Sequence, residues 1–243
     1  MKKLLWAERQ KIRRSNIVWI AVFATVMVAV IVLLGGQDVY DGSRNIDNAG
    51  WYMTTAQPWA TFFVLPAVIA LLGSYIICRE EQEDTITSLR LIPVNEAKLT
   101  AAKMIVTFSF SILLYLLLFV ITFSVEAILH FSDLSVAMVL GFLKAYFLDG
   151  LGIFLAISPI IAFVSRMKKG YWLAMLFAEI YSFAGIFMSM SNTLKTFYPF
   201  TAVFGLSGYY EATIGNRIGS IIVLLLCGCL SAFILKGLKY SEK

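Results

Sequence analysis

Ionisable side chains are scarce in this chain, so the few that stand close together are the first candidates for chemistry. Glu80 and Glu81 form a carboxylate pair inside "REEQEDTITSLRLIP", Arg79 to Pro93, where six of the first twelve residues are charged. Paired carboxylates with a nearby histidine would suit an intramembrane protease. The chain has one histidine, His130, and the topology derived below puts it on the opposite side of the membrane from that pair. Glu126, His130 and Asp133 approach one another at helical spacing, and zinc needs three or four such ligands. A solvated helix end is the better account of the three. No G-x-x-x-x-G-K-[ST] is present, so the chain has no P-loop with which to cradle ATP phosphates. "GLSGYY" at Gly205–Tyr210 has no partner motif. Cys78, Cys227 and Cys229 lie in or at the ends of apolar runs and read as small buried hydrophobes, not as a disulfide framework or metal site. No catalytic residue and no metal site is assigned.

Two acids lie deeper. Asp149 and Glu179 each fall well inside an apolar block. An acid at such a depth costs a few kcal/mol (~2.5–3.5 for Asp at the helix centre) and marks a functional site by default. One account has both lining an interior or inter-subunit path that favours cationic, amphipathic cargo. The other has them in structural polar contacts, for instance with Ser158, Ser182 or Tyr181.

The elements that must position these residues follow from composition. The chain has 243 residues, 60% hydrophobic and 14% charged, against roughly half and a quarter in soluble domains. The excess comes in six blocks near the ~20 residues that cross a ~30 Å hydrocarbon layer. They are Ile17–Leu34, Trp59–Cys78, Met104–Val125, Val139–Ser165, Tyr171–Met190 and Ile218–Leu235. The expectation is an all-α membrane protein with six transmembrane helices. The first block is too long for a signal-peptide core and no cleavage site follows, so it reads as a span.

With the N-terminus inside, 16 of the 20 Lys and Arg residues fall on inner segments; Arg44, Lys144, Lys195 and Arg217 remain outside or in the outer leaflet. The positive-inside rule therefore puts both termini in the cytoplasm. The net charge of +5 is read through topology, and nucleic acid is not an expected partner. Residues 1–16 read either as an interfacial basic helix, with Met1, Leu5 and Ile12 on one face and Glu8 interrupting it, or as a plain positive-inside flank. Residues 35–58 form an outer loop. The last outer segment, residues 191–216, is aromatic and Gly-rich, too short to span, and suited to dipping into the outer leaflet as short re-entrant helices where protein covers it. Pro66 and Pro159 are placed to kink spans. Gly150, Gly152, Gly185 and Gly228 allow close helix packing.

The charged turn at residues 79–103 then becomes a cytoplasmic loop. Glu80, Glu81, Glu83 and Asp84 crowd its start, where a helix N-terminus favours negative charge. Ile86 and Leu89 add an apolar edge, Pro93 ends it, and Asn95 can cap a helix that runs through Lys98 and Lys103 into the third span. It reads as a solvated linker or as a short amphipathic helix that docks into a groove on a soluble partner.

An acidic residue, then Thr85, Leu89 and Leu91, then Pro93 and Lys98 before a membrane helix resembles the first cytoplasmic loop of type-two ABC transporter permeases. The layout of the whole chain is similar to that family, and most to bacterial permeases of antimicrobial-peptide export, lantibiotic immunity and bacitracin resistance. Gly-Thr and Ser-Arg of many relatives are replaced here by Asp84-Thr85 and Val94-Asn95-Glu96. The resemblance implies that residues 1–243 form one permease domain in the bacterial plasma membrane. It implies a coupling helix carrying Glu80, Glu81, Asp84, Thr85, Ile86, Leu89, Arg90 and Pro93. It also implies a second permease copy, here a homodimer, and two ATPase subunits that bind the ATP and Mg. The cargo it implies is an amphipathic or antimicrobial peptide. Export of a lipid-linked or small hydrophobic compound is the alternative within the class; a membrane sensor or scaffold that binds a soluble regulator is the alternative outside it. Leu89→Asp is expected to uncouple the partner's ATP hydrolysis from transport while membrane insertion survives; unchanged transport would overturn the coupling assignment.

Overall fold

The computed structural model describes residues 2–13, 15–40, 42–83, 96–167 and 170–236. Its helices, in chain order, are α1 (Lys2–Arg13), α2 (Asn16–Gly35), α3 (Trp51–Phe63), α4 (Leu65–Gln82), α5 (Glu96–Leu129), α6 (Val136–Val164), α7 (Leu173–Met188), α8 (Leu194–Phe197), α9 (Pro199–Ser207) and α10 (Ile214–Lys236). A two-residue antiparallel strand pair, β1 (Val39–Tyr40) and β2 (Ser43–Arg44), decorates the α2–α3 connection. Helices dominate because the apolar blocks carry their backbone polar groups with them, and only a helix satisfies these within one segment.

Four helices, α2, α5, α6 and α10, are long and apolar enough to cross a membrane, and the bent pair α3–α4 is a fifth candidate. α7 is shorter. Its 16 residues reach about 24 Å at 1.5 Å per residue, less than the ~30 Å layer. α5 begins at Glu96 and runs through Lys98 and Lys103, as the spacing predicts. α2 buries Ala21, Thr25, Val28, Ala29 and Val32 as one stripe and exposes Trp19 and Phe23 on the other side. Such an outward apolar face belongs against lipid.

The second block departs from expectation. Its helix begins at Trp51, eight residues before the expected Trp59, and breaks at Val64 with a 47° bend. Gly50 starts it: its φ of +82° turns the chain, and its N–H donates to Glu126 Oε1 at 2.5 Å, a carboxylate at a helix N-terminus. Pro66 ends it. Proline has no N–H, and its ring crowds the carbonyl four residues back, here Phe62. The carbonyl thus released accepts from Ser182 Oγ of α7 at 2.6 Å.

α6 is the most enclosed of the long helices and packs against α4, α5, α9 and α10. A Cβ on Gly150 would stand 2.9 Å from Ile112 Cα of α5, and the Gly150 carbonyl accepts from Ser111 Oγ at 2.6 Å. The two backbones meet there with no room for a side chain. Residues 191–216 fold as α8, α9 and a turn, and α9 is buried along Phe200–Gly205. Nine residues cannot cross a bilayer, but they fill the wedge between α6 and α10. Gly150→Val should lower the melting temperature in detergent, by an overpacking cost of about 1–3 kcal/mol. An unshifted melt would show that α5 and α6 can separate without loss.

Candidate functional site

One of the expected coupling residues, Glu80, belongs to an ion-pair cluster where α1, the last turn of α4 and the first turns of α5 converge. Glu80 is 4% exposed. Its Oε1 accepts from Lys11 Nζ of α1 at 3.0 Å, and its Oε2 is paired with Lys103 Nζ of α5. Lys103 is fully buried and also donates to the Ile77 carbonyl at 3.2 Å. Lys11 reaches Glu8 as well, at 2.9 Å. Two carboxylates thus offset two ammoniums.

Glu8, which interrupts the apolar face of α1 in the sequence, is itself buried beside Leu5 and Ile12. One helix face therefore carries both the apolar contact and the polar anchor. Arg79 closes the rim. Its Nε donates to Glu83 Oε1 at 2.8 Å, a terminal nitrogen donates to the Lys11 carbonyl at 3.3 Å, and the guanidinium lies 5.8 Å from the Tyr75 ring centroid.

Glu80 therefore points into the bundle and ties α1, α4 and α5 together at the root of the loop. Glu81 continues α4. Asp84, Thr85, Ile86, Leu89, Arg90 and Pro93 lie outside the described residues. The sequence holds no direct signal for the partnership of Lys103 with Glu80. The only hint is a lysine at the edge of an apolar block, which reads equally well as a snorkelling flank.

Asp149 sits halfway along α6 and is fully buried. Its Oδ2 accepts from Gln57 Nε2 of α3 at 2.6 Å; Gln57 also reaches Ser207 Oγ of α9 at 3.3 Å, and Asp149 Oδ1 has no hydrogen-bond partner. Tyrosines flank this layer, with Tyr146 Oη donating to the Met53 carbonyl at 2.7 Å and Tyr115 Oη 3.0 Å from Thr61 Oγ1. Sequence reasoning missed Gln57, because a glutamine beside Pro58 reads as loop when the helix is thought to start at Trp59. Glu179 lies on α7, partly buried, with Oε2 unpartnered. The two acids do not share a hydrogen-bond network among the described residues. Ser182 and Ser158 serve backbone carbonyls instead, Ser182 that of Phe62 and Ser158 that of Leu155.

Among the described residues no group of three or more His, Cys, Asp or Glu side chains is placed to hold a metal ion. Glu126 is buried rather than solvated. It holds the Gly50 amide and the His130 Nδ1 at 3.0 Å, while His130 Nε2 lies 3.2 Å from the Asp47 carbonyl. Asp133 is exposed. These groups staple the α2–α3 connection to the end of α5.

Long apolar helices describe a membrane protein, and comparison with known proteins supplies its class. Residues 4–185 match the model of the ABC-2 family transporter protein, and the chain belongs to that family: it is a multi-pass permease of the bacterial plasma membrane, a transmembrane subunit and not an ATPase. It is similar to the bacitracin transport permease protein BCRB of Bacillus licheniformis, 30% identical over 145 residues, which cover 58% of this chain and 69% of that protein.

Glu80→Gln should lower yield and melting temperature sharply, because a buried ammonium left without its carboxylate costs about 3–5 kcal/mol. Combining Glu80→Leu with Lys103→Met should recover most of the loss. A single variant as stable as the parent would mean that water reaches Lys103.

Proposed function

We propose that this chain is the permease of an ATP-driven exporter that expels amphipathic or antimicrobial peptides, powered by a separate ATPase subunit. The observation that carries this reading is the similarity to a bacitracin transport permease over 145 residues, joined to a buried cluster at the root of the expected coupling loop. The functional unit is a homodimer with two ATPase subunits, which hold the ATP and Mg. The orientation is that of the sequence reading: six spans, counting α3–α4 as one and the short α7 as another, both termini in the cytoplasm, and α1 in the inner interface.

The geometry supports a mechanical account. Residues 84–95 join α4 to α5, and the ends of those helices are bound to each other and to α1 through Glu80, Lys103 and Lys11. A push on the loop is then delivered to three helices at once. α4 carries it to the bend at Val64, where Ser182 of α7 holds the broken turn. Beyond the bend, Gln57 of α3 holds Asp149 of α6. A change of bend angle therefore acts on the bond that shields the buried acid. In this account Asp149 is uncovered during the cycle to meet a cationic group on the cargo, with Glu179 a second, separate contact.

Co-purification with the ATPase encoded beside this chain is expected to yield a two-plus-two complex whose ATP hydrolysis rises with added amphipathic peptide. Capture of some other soluble protein and no ATPase would move the reading to a sensor or scaffold. In that complex Asp149→Asn keeps the shape and the Gln57 contact but removes the charge. It should slow export of a cationic peptide by about tenfold, the equivalent of about 1.4 kcal/mol, with Glu179→Gln weaker in effect. Wild-type rates in both would reduce the two acids to structural groups.

A further inference from the structure

At the end of the bundle opposite α1, two exposed cations converge on one cleft. The cleft is about 800 Å³, between α3, α6, the end of α9 and the start of α10, and its lining includes Gln57, Phe142, Lys144, Ser207, Tyr209 and Arg217. Basic residues are few at this end, where only Arg44, Lys144, Lys195 and Arg217 fall. Two of them are already served by the protein. Arg44 pairs with Asp47 at 3.2 Å, and Lys195 lies over the Tyr210 ring, 5.9 Å from its centroid. The other two, Lys144 and Arg217, make no ion pair among the described residues, and they line the same cleft.

Position narrows the occupant. Lys144 lies eight residues after the first residue of α6, about 12 Å down the helix axis. Its neighbours one turn away on the same face, Leu140 and Phe147, are 58% and 42% exposed and apolar. An ammonium on a stripe that otherwise faces acyl chains is expensive unless an anion meets it at head-group depth. Arg217 supplies a planar fork matched to phosphate oxygens, and Lys144 a point charge. Gln57 and Ser207 add uncharged hydrogen-bonding groups. Burial raises the Tyr209 hydroxyl above its ordinary range, so it stays a neutral donor. Glu211, on the same turn as Tyr209, is exposed and pairs with neither cation. Asp149 is shielded behind Gln57.

We propose that this cleft binds the phosphate head group of an anionic membrane lipid, with Lys144 and Arg217 on the phosphate and the acyl chains against the Leu140–Phe147 face of α6. Lys144 and Arg217 repel the cationic cargo proposed above, and the cleft reaches the path proposed for that cargo at Gln57 and Ser207. Assignment of the lipid to the outer leaflet rests on the orientation proposed above; lipid binding itself does not.

The full chain, purified in detergent with mixed phosphatidylglycerol and phosphatidylcholine, tests this by native mass spectrometry. Phosphatidylglycerol should be retained selectively, K144Q/R217Q should weaken retention by about tenfold or more, and K144R/R217K and K195Q should retain it. Equal retention by the wild type and K144Q/R217Q would overturn the site. Selective loss of the lipid on adding inorganic phosphate, with no preference for phosphatidylglycerol over phosphatidylcholine, would overturn lipid as the occupant in favour of a free anion. Labelling of R217C by an impermeant thiol reagent, above the background of the native cysteines, reads the orientation separately.

Discussion

No hydrogen-bonding solvent enters the hydrocarbon layer, and each polar group that the chain carries into it needs a partner on the same or a neighbouring helix. Much of the architecture can be traced to that demand. The carbonyl that Pro66 releases is met by Ser182 from α7, the Tyr52 hydroxyl by the Ala29 carbonyl of α2, and the Tyr146 hydroxyl by the Met53 carbonyl of α3. Thr25, Thr107 and Thr122 turn back to carbonyls of their own helices. Apolar contact alone gives little direction to helix association in lipid. These bonds, together with close approaches such as that of Gly150 of α6 to Ile112 of α5, select which helices are neighbours.

The same demand explains why charge is gathered at two levels. At the α1 end, Glu8, Lys11, Glu80 and Lys103 form a nearly closed set. A buried cluster of this kind is weak evidence of stability, since desolvation offsets much of the attraction. Its use lies in geometry: it fixes α1 against the roots of α4 and α5 in one arrangement. At mid-depth, Asp149 has one oxygen served and the other without a partner. A group left partly unsatisfied at the centre of a bundle is a place where a small movement changes the energy most. The bend at Val64 lies about two turns from Gln57, so the cluster, the bend and the acid lie on one connected course through α4, α3 and α6.

Much of this organisation was legible from the order of residue types. Blocks of apolar length and a 16-to-4 division of basic residues do not depend on how helices are arranged, because hydrocarbon thickness and surface charge act on each segment alone. Family membership agrees with the resemblance that the charged stretch at residues 79–103 carried. The bent second segment was less legible. Pro66 announced a kink, but the earlier start at Trp51 depends on Glu126, 76 residues away, holding the Gly50 amide. Glu8 looked like an error on the apolar face of α1 until Lys11 stood beside it and Glu80 beyond it. Glu80, expected in the coupling helix, has Lys11 and Lys103 as partners that no local pattern announced.

The sequence by itself determined the class of molecule, the approximate positions of its membrane segments, the bias of its charge and the two deep acids, since each follows from transfer energies summed over neighbouring residues. Only the tertiary structure decided which polar groups meet: Lys103 with Glu80, Gln57 with Asp149, Ser182 with the break at Pro66, and Lys144 with Arg217 around one cleft. Those partners are 23 to 120 residues apart in the chain. Their meeting depends on the rotation and depth of each helix against its neighbours, which side-chain packing sets and no local pattern records.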